Sequence, residues 1–289
     1  MPFERISWSL VSSLDECARK TQYKYQLGLI PGGEEYQAMF GTATHLALGA
    51  YYKSGRSIVE AKRVFRDAWE PSEGKDPHGI RTLEKGYELI EAYDRLFVEE
   101  PWTFLGGEQT FAIEIPGVSQ LFTGIIDAFG NHVEGEAQVA IQEFKTSTTP
   151  WNFVAYPNGQ MVSYAYAAKS LLQKEVKRVY ATMFGVFKGS KGGQQRGKSK
   201  DDPPREVINR EVIDLSAWDF EEWQRDVREA SLLVRRYEEV EYWPKRTRSC
   251  GGYGGCPYRA ICMTPPSQRA FIMETSYERK EWSPLNERR

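Results

Sequence analysis

Three charged side chains in two strand-like segments are the residues of this sequence best suited to chemistry. One segment is Gly124-Ile-Ile-Asp127, and the next is Glu143-Phe-Lys145. Residues two apart in a strand point to the same face, so Glu143 and Lys145 project together, and Asp127 reaches the same point if the two strands are neighbours. Two carboxylates at one point suit Mg²⁺ or Mn²⁺, and a lysine beside them can position or deprotonate a metal-activated water or stabilise transition-state charge. The pattern predicts a metal-dependent hydrolytic site.

The surroundings of these charges matter because a Glu-x-Lys pair is common by chance. On a solvent-facing strand such residues form only a simple ion pair. Here Ile125 and Ile126 precede Asp127, while Ile141 and Phe144 lie in the second segment. Charged residues within such apolar strands favour a site over a solvated face.

Two further polar groups lie on predicted helices. His45 ends the small-residue run Gly41-Thr-Ala-Thr-His45, which permits close packing against a sheet. A neutral imidazole there can be a third metal ligand, although a lone histidine is more often a hydrogen-bonded core residue. Gln160 and Tyr164 lie four apart and therefore share one helix face, which is also what a partly buried surface row would show. The residues alone leave these alternatives open.

Periodicity and turn residues divide the chain into helices and strands. Helices are predicted at 8–26, 38–54, 57–70, 80–99, 157–173 and 216–241, and strands at 108–115, 120–129, 138–146, 177–187 and 205–213. Ser9 or Ser12 is the expected cap of the first helix. The elements follow one another as helices, a three-strand meander, a helix, more strands and a final helix. This order predicts an α+β fold whose α/β core contains a mixed sheet.

The ordered motifs resemble those of the RecB-type branch of the PD-(D/E)XK nucleases. The branch pattern G-x-x-x-H, G-x-x-D, E-x-K and Q-x-x-x-Y is present here as GTATH (41–45), GIID (124–127), EFK (143–145) and QMVSY (160–164). The resemblance implies a restriction-endonuclease-like mixed central sheet flanked by helices. It implies metal ligation by His45, Asp127, Glu143 and the Phe144 carbonyl, catalysis by Lys145, and positioning of the DNA backbone by Gln160 and Tyr164. Glu108, at the start of the first predicted strand, is a weaker candidate for the same pocket.

Four cysteines form a second constellation. Cys250, Cys256 and Cys262 are spaced C-x5-C-x5-C, and Cys17 lies in the first predicted helix. Disulfides are rare in a reducing cytosol, so the group favours Zn²⁺ or a [4Fe–4S] cluster, both of which accept four thiolates. The lack of close C-x-x-C knuckles disfavours zinc, and four unrelated buried cysteines are the remaining alternative.

Iron–sulfur members of the same branch, the CRISPR-associated adaptation nucleases and the AddB-type recombination nucleases, place one cysteine before the nuclease core and three after it. This resemblance implies a structural [4Fe–4S] cluster that ties the first helix to the tail, where closing a long loop stabilises most. The gap before Cys256 is longer than usual in the branch, so Cys250 is the least typical ligand. We expect one integrated domain, with a helical part (1–100) contributing Cys17 and His45, a nuclease core (101–241) and a cysteine-rich tail (242–289).

Positive charge must be concentrated locally if the chain binds DNA, because the formal net charge is −2. One basic cluster lies in the Gly- and Lys-rich segment 188–204 and another just before the tail; their members are Lys188, Lys191, Arg196, Lys198, Lys200, Lys245, Arg246 and Arg248. Trp151, followed by Phe153 and Tyr156, can stack on an unpaired base or simply pack.

The expected function is that of a divalent-metal-dependent DNA nuclease, an exonuclease acting on DNA ends or single strands in recombination, repair, or phage- or CRISPR-linked processing. Recombination or CRISPR-type protein partners and a homo-oligomer stay open. The alternatives are a non-catalytic DNA-binding or assembly subunit of the same fold and an RNA-directed nuclease. No stretch approaches eighteen apolar residues and the first ten residues lack a signal-peptide pattern, so we expect a cytoplasmic protein, in the host cytoplasm if viral, without a membrane partner.

Overall fold

The structure is a computed structural model that describes residues 3–32, 35–133, 138–148, 158–186, 208–251 and 255–283. Its helices are α1 (Trp8–Glu16), α2 (Ala18–Thr21), α3 (Glu35–Lys53), α4 (Ile58–Trp69), α5 (Leu83–Leu96), α6 (Gly159–Leu172), α7 (Ala217–Glu239), α8 (Arg259–Met263) and α9 (Arg269–Ser276). Its strands are β1 (Arg5–Ile6), β2 (Leu29–Pro31), β3 (Trp102–Ile113), β4 (Leu121–His132), β5 (Gln138–Ser147), β6 (Glu175–Gly185), β7 (Ile208–Asp214) and β8 (Tyr277–Arg279). A π-helical turn, Gln22–Gln26, follows α2.

The central sheet is mixed. Its order is β1–β4–β5–β6–β7, and β3 also pairs with β4. Strands β5 and β6 run parallel and α6 lies between them in the chain, because a parallel pair needs a crossover connection. The β3–β4, β4–β5 and β6–β7 pairs are antiparallel, and β1 adds a short parallel pair at the start of β4. The predicted α+β fold, with a mixed sheet and flanking helices, is confirmed.

Each face of the sheet packs against its own set of helices. Helices α1, α6 and α7 cover one face, called here the α6 face, and α3, α4 and α5 cover the other, the α3 face. Successive residues of β5 alternate between them, with Val139 and Ile141 in the α6 core and Ala140 and Phe144 in the α3 core. By the same alternation Glu143 is directed to the α6 face. Among the described helices, none is long and apolar enough to cross a membrane.

Strand β4 changes face at Asp127. Ile126 belongs to the α6 core and Ala128 to the α3 core, although a regular strand would point both to one side. On the neighbouring strand, Glu108 has a φ of 53°, in the left-handed region that non-glycine residues rarely adopt. Such irregularities re-aim side chains and are common next to active sites. Here the irregularity falls on two acidic residues.

A buried polar network lies on the α3 face beneath the middle of the sheet. Arg210 forms a 2.5 Å ion pair with Glu100, and its Nε donates to Thr182 Oγ1 at 2.9 Å. Gln142 Nε2 donates to the same hydroxyl at 2.7 Å and lies 3.3 Å from the carbonyl oxygen of Glu143. The network therefore links β5, β6 and β7 next to the backbone of Glu143 and holds that backbone in place.

The C-terminal tail packs against the N-terminal helices. Strand β8 pairs with β2, and the Tyr258 hydroxyl donates to the Leu29 carbonyl at 2.8 Å. Arg19 Nε donates to the Trp243 carbonyl at 2.6 Å. The strands β1, β2 and β8 were not expected from the sequence, because they are two or three residues long and pair with distant segments.

The first helix and the first long strand depart from prediction in detail. The helix expected at 8–26 is interrupted at Cys17, whose backbone is extended with φ −169° and ψ 113°. Its cap is Ser7, whose side chain accepts from Leu10 N at 3.3 Å, so the expectation of Ser9 or Ser12 was wrong. Strand β3 begins at Trp102, six residues before the predicted 108, because pairing with β4 holds its glycines in an extended conformation.

Candidate active site

Strands β4 and β5 bring two buried carboxylates together. The antiparallel pairing of the two strands ends at Ala128 and Gln142, and Asp127 and Glu143 are the next residues along β4 and β5. Asp127 is 2% exposed and Glu143 is fully buried. The backbone N–H of Phe144 donates to Asp127 Oδ2 at 2.8 Å and fixes the orientation of that carboxylate.

A histidine and a second acid complete a candidate metal centre beside Asp127. His45, from α3, places Nδ1 3.1 Å from Asp127 Oδ1. One ligand atom each from His45, Glu108 and Asp127 lies within 4.8 Å of the others. The side chain of Glu108 lies against Gly49, one helical turn after His45, where a larger side chain would meet it. Glu108, the weaker sequence candidate, thus lies in the same cluster as His45 and Asp127.

Lys145 lies over the buried Glu143. Its Nζ is 2.5 Å from Glu143 Oε1, and its side chain is 33% exposed while that of Glu143 is 0% exposed. A buried carboxylate is costly unless a cation compensates it, and the lysine supplies that charge from the solvent side. The pair therefore puts an ammonium group in the lining of the cleft and a buried carboxylate behind it.

Gln160 and Tyr164 lie on the opposite wall of this cleft, which has a volume of about 290 Å³ and is also lined by His45 and Lys145. Gln160 Nε2 donates to the Tyr164 hydroxyl at 2.7 Å. Asn158 caps α6 by accepting from the Gln160 N–H at 2.9 Å, which fixes the start of the helix at the cleft. The four motifs of the sequence therefore contribute to one cleft.

The start of α1 forms a wall of the cleft that sequence reasoning missed. Ser7, Trp8 and Ser9 line it. Trp8 packs on the start of α6, where a methyl group in place of the Gly159 hydrogen would lie 2.0 Å from the indole ring. A Ser followed by Trp at a helix start was the available signal, but it is too common to have pointed to a site.

Some sequence candidates fall on parts of the chain outside the described residues. Trp151 and the basic segment 188–204 are among them, so their roles stay predictions. In the second basic cluster, Arg246 donates from Nη1 to the Asp15 carbonyl at 2.8 Å, whereas Lys245 and Arg248 are exposed.

The four cysteines lie in one region, where the tail meets α1 and α2. Arg246 links two of them, because its N–H donates to Cys17 Sγ at 3.3 Å and its carbonyl lies 3.9 Å from Cys250 Sγ. The N–H of Cys256 donates to the Cys250 carbonyl at 3.4 Å. Burial raises the pKa of the Cys256 thiol, and the neighbouring Cys250 and Cys262 raise it further. The sequence-distant Cys17 is thus brought to the three tail cysteines.

A single zinc ion requires closely spaced sulfur atoms. At a Zn–S distance of about 2.3 Å, tetrahedral geometry holds thiolates about 3.8 Å apart. Within the described ranges, no three cysteine sulfurs lie within 4.8 Å of one another. The donor set is all thiolate, which suits an iron–sulfur cluster as well as zinc.

We expect Mn²⁺ to raise the melting temperature of the metal-free protein, because a bound cation relieves repulsion among the acidic side chains of the centre. At 100 times its Kd the ion adds about 2.7 kcal/mol, or roughly 5–10 °C for a chain of this size. Asp127→Asn should remove the shift, since an amide is a weaker ligand for a hard cation. The measurement is a thermal melt in EDTA and in Mn²⁺.

The matched control for this melt is Glu222→Gln, which neutralises an exposed acid on α7, away from the cleft. It should keep the full Mn²⁺ shift. An equal shift in Asp127→Asn would mean that the ion binds elsewhere.

Comparison with known proteins gives a family match and a fold match. A family model for the PD-(D/E)XK nuclease superfamily matches residues 5–263. A protein from Eubacterium rectale, named in its crystal structure as a candidate exonuclease, has a TM-score of 0.54 at 11% identity, covering 94% of this chain and 93% of that chain. The crystal structure of SSO0001 covers 90% of this chain and 86% of that chain at 12% identity, with a TM-score of 0.39, too low to carry an argument. Among curated proteins, no sequence matches significantly.

Proposed function

The chain belongs to the PD-(D/E)XK nuclease superfamily, and from that premise we propose that it is a divalent-metal-dependent DNA nuclease that hydrolyses phosphodiester bonds. The observation that carries the proposal is the cluster of His45, Glu108 and Asp127 within 4.8 Å, beside the Glu143–Lys145 pair. Metal-assisted hydrolysis of a phosphodiester uses a cation site and a nearby proton-carrying group, and this site offers residues for both.

The cleft residues divide the chemistry among them. His45, Glu108, Asp127 and Glu143 would hold Mg²⁺ or Mn²⁺, with the Phe144 carbonyl as a further ligand. When bound, the ion lowers the pKa of a water molecule and neutralises charge on the phosphate. Lys145 holds its proton at Nζ and donates to the attacking water or to the phosphate oxygen on which charge accumulates.

The opposite wall orients the substrate. The Gln160 amide and the Tyr164 hydroxyl are bonded to each other and line the cleft, so both can donate to non-bridging phosphate oxygens. The Phe144 N–H keeps Asp127 Oδ1 turned towards His45 by occupying Oδ2. Substrate positioning and ligand positioning thus come from different strands and helices, as a precise site requires.

We propose action on DNA ends or single strands as an exonuclease. The cleft, about 290 Å³, has the volume of a site for one small ligand, and a terminal nucleotide fits that description better than the middle of a duplex does. The E. rectale protein that shares the fold is itself named as a candidate exonuclease. Removal of nucleotides from a DNA end suits DNA recombination, repair, or phage- or CRISPR-linked processing. We propose protein partners from those systems as well.

An assay with end-labelled substrates tests the proposed activity. Linear single-stranded DNA, linear duplex, circular single-stranded DNA and RNA are incubated with Mn²⁺. We expect progressive shortening of linear DNA and slow or absent cutting of the circle. Comparable cutting of the circle would make the protein an endonuclease. Cutting of RNA alone would make it an RNA-directed nuclease. No cutting of any substrate would favour a non-catalytic DNA-binding or assembly subunit.

We also propose that Cys17, Cys250, Cys256 and Cys262 hold a structural [4Fe–4S] cluster, with Zn²⁺ as the alternative. Two observations support it: the four residues converge where the tail meets α1, and the donor set is all thiolate, which suits a cluster and zinc alike. The cluster would join α1 to the tail and take no part in hydrolysis.

A further inference from the structure

A second cavity continues from the active-site cleft along the N-terminal helices. Its volume is about 350 Å³, and it shares Trp8, Ser9 and Gln160 with the cleft. Beyond these shared residues it is lined by side chains of α1, α2 and the π-helical turn, among them Ser12, Glu16, Lys20 and Lys24. The two cavities therefore adjoin, and together they are called the channel here, with His45 of the candidate metal centre in one part and Lys20 and Lys24 in the other.

The channel follows α1, α2 and the π-helical turn in succession. Ser9, Ser12 and Glu16 lie three or four residues apart on α1, which keeps them on one helix face. Beyond the extended Cys17, Lys20 of α2 and Lys24 of the π-helical turn line the same cavity. Fifteen residues at about 1.5 Å each give roughly 22 Å. At about 3.4 Å per nucleotide this length spans some six nucleotides of a stacked strand, and fewer of a stretched one.

The lining changes from hydroxyl and aromatic groups to ammonium groups along this length. Ser9 and Ser12 are exposed beside Trp8, and serine hydroxyls commonly contact phosphate oxygens. Among the described residues that line this cavity, the charged ones are Lys20, Lys24 and Glu16, and Glu16 forms an ion pair with Lys20. The far end therefore carries a net positive charge, as a groove that follows a phosphate backbone does.

Trp8 stands where the two cavities meet. Its indole is held against the start of α6 by the close approach at Gly159, so its position is fixed by packing. An aromatic ring at the entrance to a charged groove offers a stacking surface for any base.

We propose that this channel is a track for single-stranded DNA. A strand whose scissile phosphate lies at the metal centre passes over Trp8, which stacks on a base, and its further phosphates lie along Ser9 and Ser12 to Lys20 and Lys24. The inference rests on the proposed nuclease function and adds which strand state and which surface it uses. Because Cys17 follows Glu16 directly, the strand also passes beside the cysteine site.

Binding measured without metal separates the track from catalysis. Fluorescein-labelled dT12, dT3 and a 12-base-pair duplex are titrated with protein in EDTA, and anisotropy is followed at several salt concentrations. For Lys20→Ala/Lys24→Ala we expect roughly tenfold weaker binding of dT12 near 50 mM salt and a salt slope smaller by about 1.4, since each phosphate contact on a single strand contributes about 0.7. Binding of dT3 should not change, because it is too short to reach both Trp8 and the lysines.

The matched control is Lys53→Ala/Lys62→Ala, which removes one exposed lysine and one ion-paired lysine on α3 and α4, outside both cavities. It should bind dT12 like the wild type. Trp8→Ala should weaken dT3 and dT12 alike, and Trp8→Phe should restore most of the binding because it keeps a ring. Thermal melts of all variants confirm that they fold.

Three results would overturn the track. One is binding of dT12 by the Lys20→Ala/Lys24→Ala variant at the wild-type affinity. Another is an equal loss of dT12 binding in the Lys53→Ala/Lys62→Ala control. Equal loss of duplex and single-strand binding would also overturn it, since the proposed track holds one strand. If any of these results is found and the wild type still cleaves DNA in the separate assay, the proposed nuclease function stands and only the track is wrong. If the wild type neither cleaves nor binds DNA, both proposals are wrong.

Discussion

Replacing Lys145 with methionine should slow cleavage of an end-labelled DNA strand by roughly 10³-fold or more at saturating Mn²⁺. The ammonium group of Lys145 is the cationic donor 2.5 Å from Glu143, at the surface of the cleft. Methionine keeps the length and apolar stem of the side chain but cannot donate a proton or stabilise charge. Single-turnover rates with enzyme in excess are the appropriate measurement, because they report the chemical step and not product release.

Stability gives this prediction a second readout. Removing the lysine leaves the carboxylate of Glu143 buried without its 2.5 Å partner, so the metal-free variant should melt lower than the wild type. Mn²⁺ should recover much of that loss, because the ion replaces the missing positive charge. A slow variant that still responds to Mn²⁺ has lost catalysis and not its metal site.

Lys177→Met is the control for the Lys145 variant, since it removes an exposed lysine from another strand of the same sheet. Its rate and its melting temperature should match the wild type. Equal rates for Lys145→Met and the wild type would exclude Lys145 from the chemistry and leave the Glu143–Lys145 pair as a structural ion pair.

The parts of the site that follow from strand periodicity were predictable. The alternation of β5 puts Glu143 and Lys145 on one side, and the antiparallel pairing of β4 with β5 puts Asp127 on the neighbouring strand, next to the paired Ala128. Those relations need only the two-residue period and the neighbouring order of the strands. The order of elements likewise sufficed for an α+β fold with a mixed sheet.

The parts that depend on irregular backbone or on long-range packing were not predictable from the pattern. Glu108 enters the metal centre where β3 adopts a φ of 53° and β4 changes face, and no periodicity encodes either event. Trp8 reaches the cleft because Ser7 starts α1 beside the first residue of α6, some 150 positions later. The same physical cause, packing between distant segments, also decides which side chains form the proposed strand track.

What the four cysteines bind could not be predicted from their spacing in the sequence, for a different reason. Spacing alone left zinc, a [4Fe–4S] cluster and unrelated cysteines as alternatives, and only the resemblance to iron–sulfur nucleases favoured one. The fold adds that the backbone of Arg246 contacts both Cys17 Sγ and Cys250 Sγ, while ligation by Cys250 stays a prediction. What the sulfurs bind is a question of metal chemistry that spacing does not answer, so the decisive evidence is spectroscopic and thermal.

Replacing Cys17 with alanine should remove the brown colour and lower the melting temperature by roughly 8–20 °C. Cys17 and Cys250 enclose more than two hundred residues, and cross-linking a loop of that order contributes about 4–5 kcal/mol, with roughly 2–4 °C for each kcal/mol in a large domain. Anaerobically purified wild type should absorb near roughly 400 nm and contain iron. The experiment measures absorbance, bound metal and the melt of both proteins side by side.

Ser13→Ala is the matched control, because it removes a buried polar side chain from α1, where its hydroxyl accepts from Thr21 Oγ1 at 3.0 Å. It should cost only about 1 kcal/mol and keep the cluster, so a small shift with full colour is expected. A colourless wild type with one zinc ion per chain would replace the cluster by zinc while keeping the tether. Brown Cys17→Ala protein that melts with the wild type would exclude the tether, since the link from α1 to the tail would then rest on hydrogen bonds such as Arg19 to Trp243 alone.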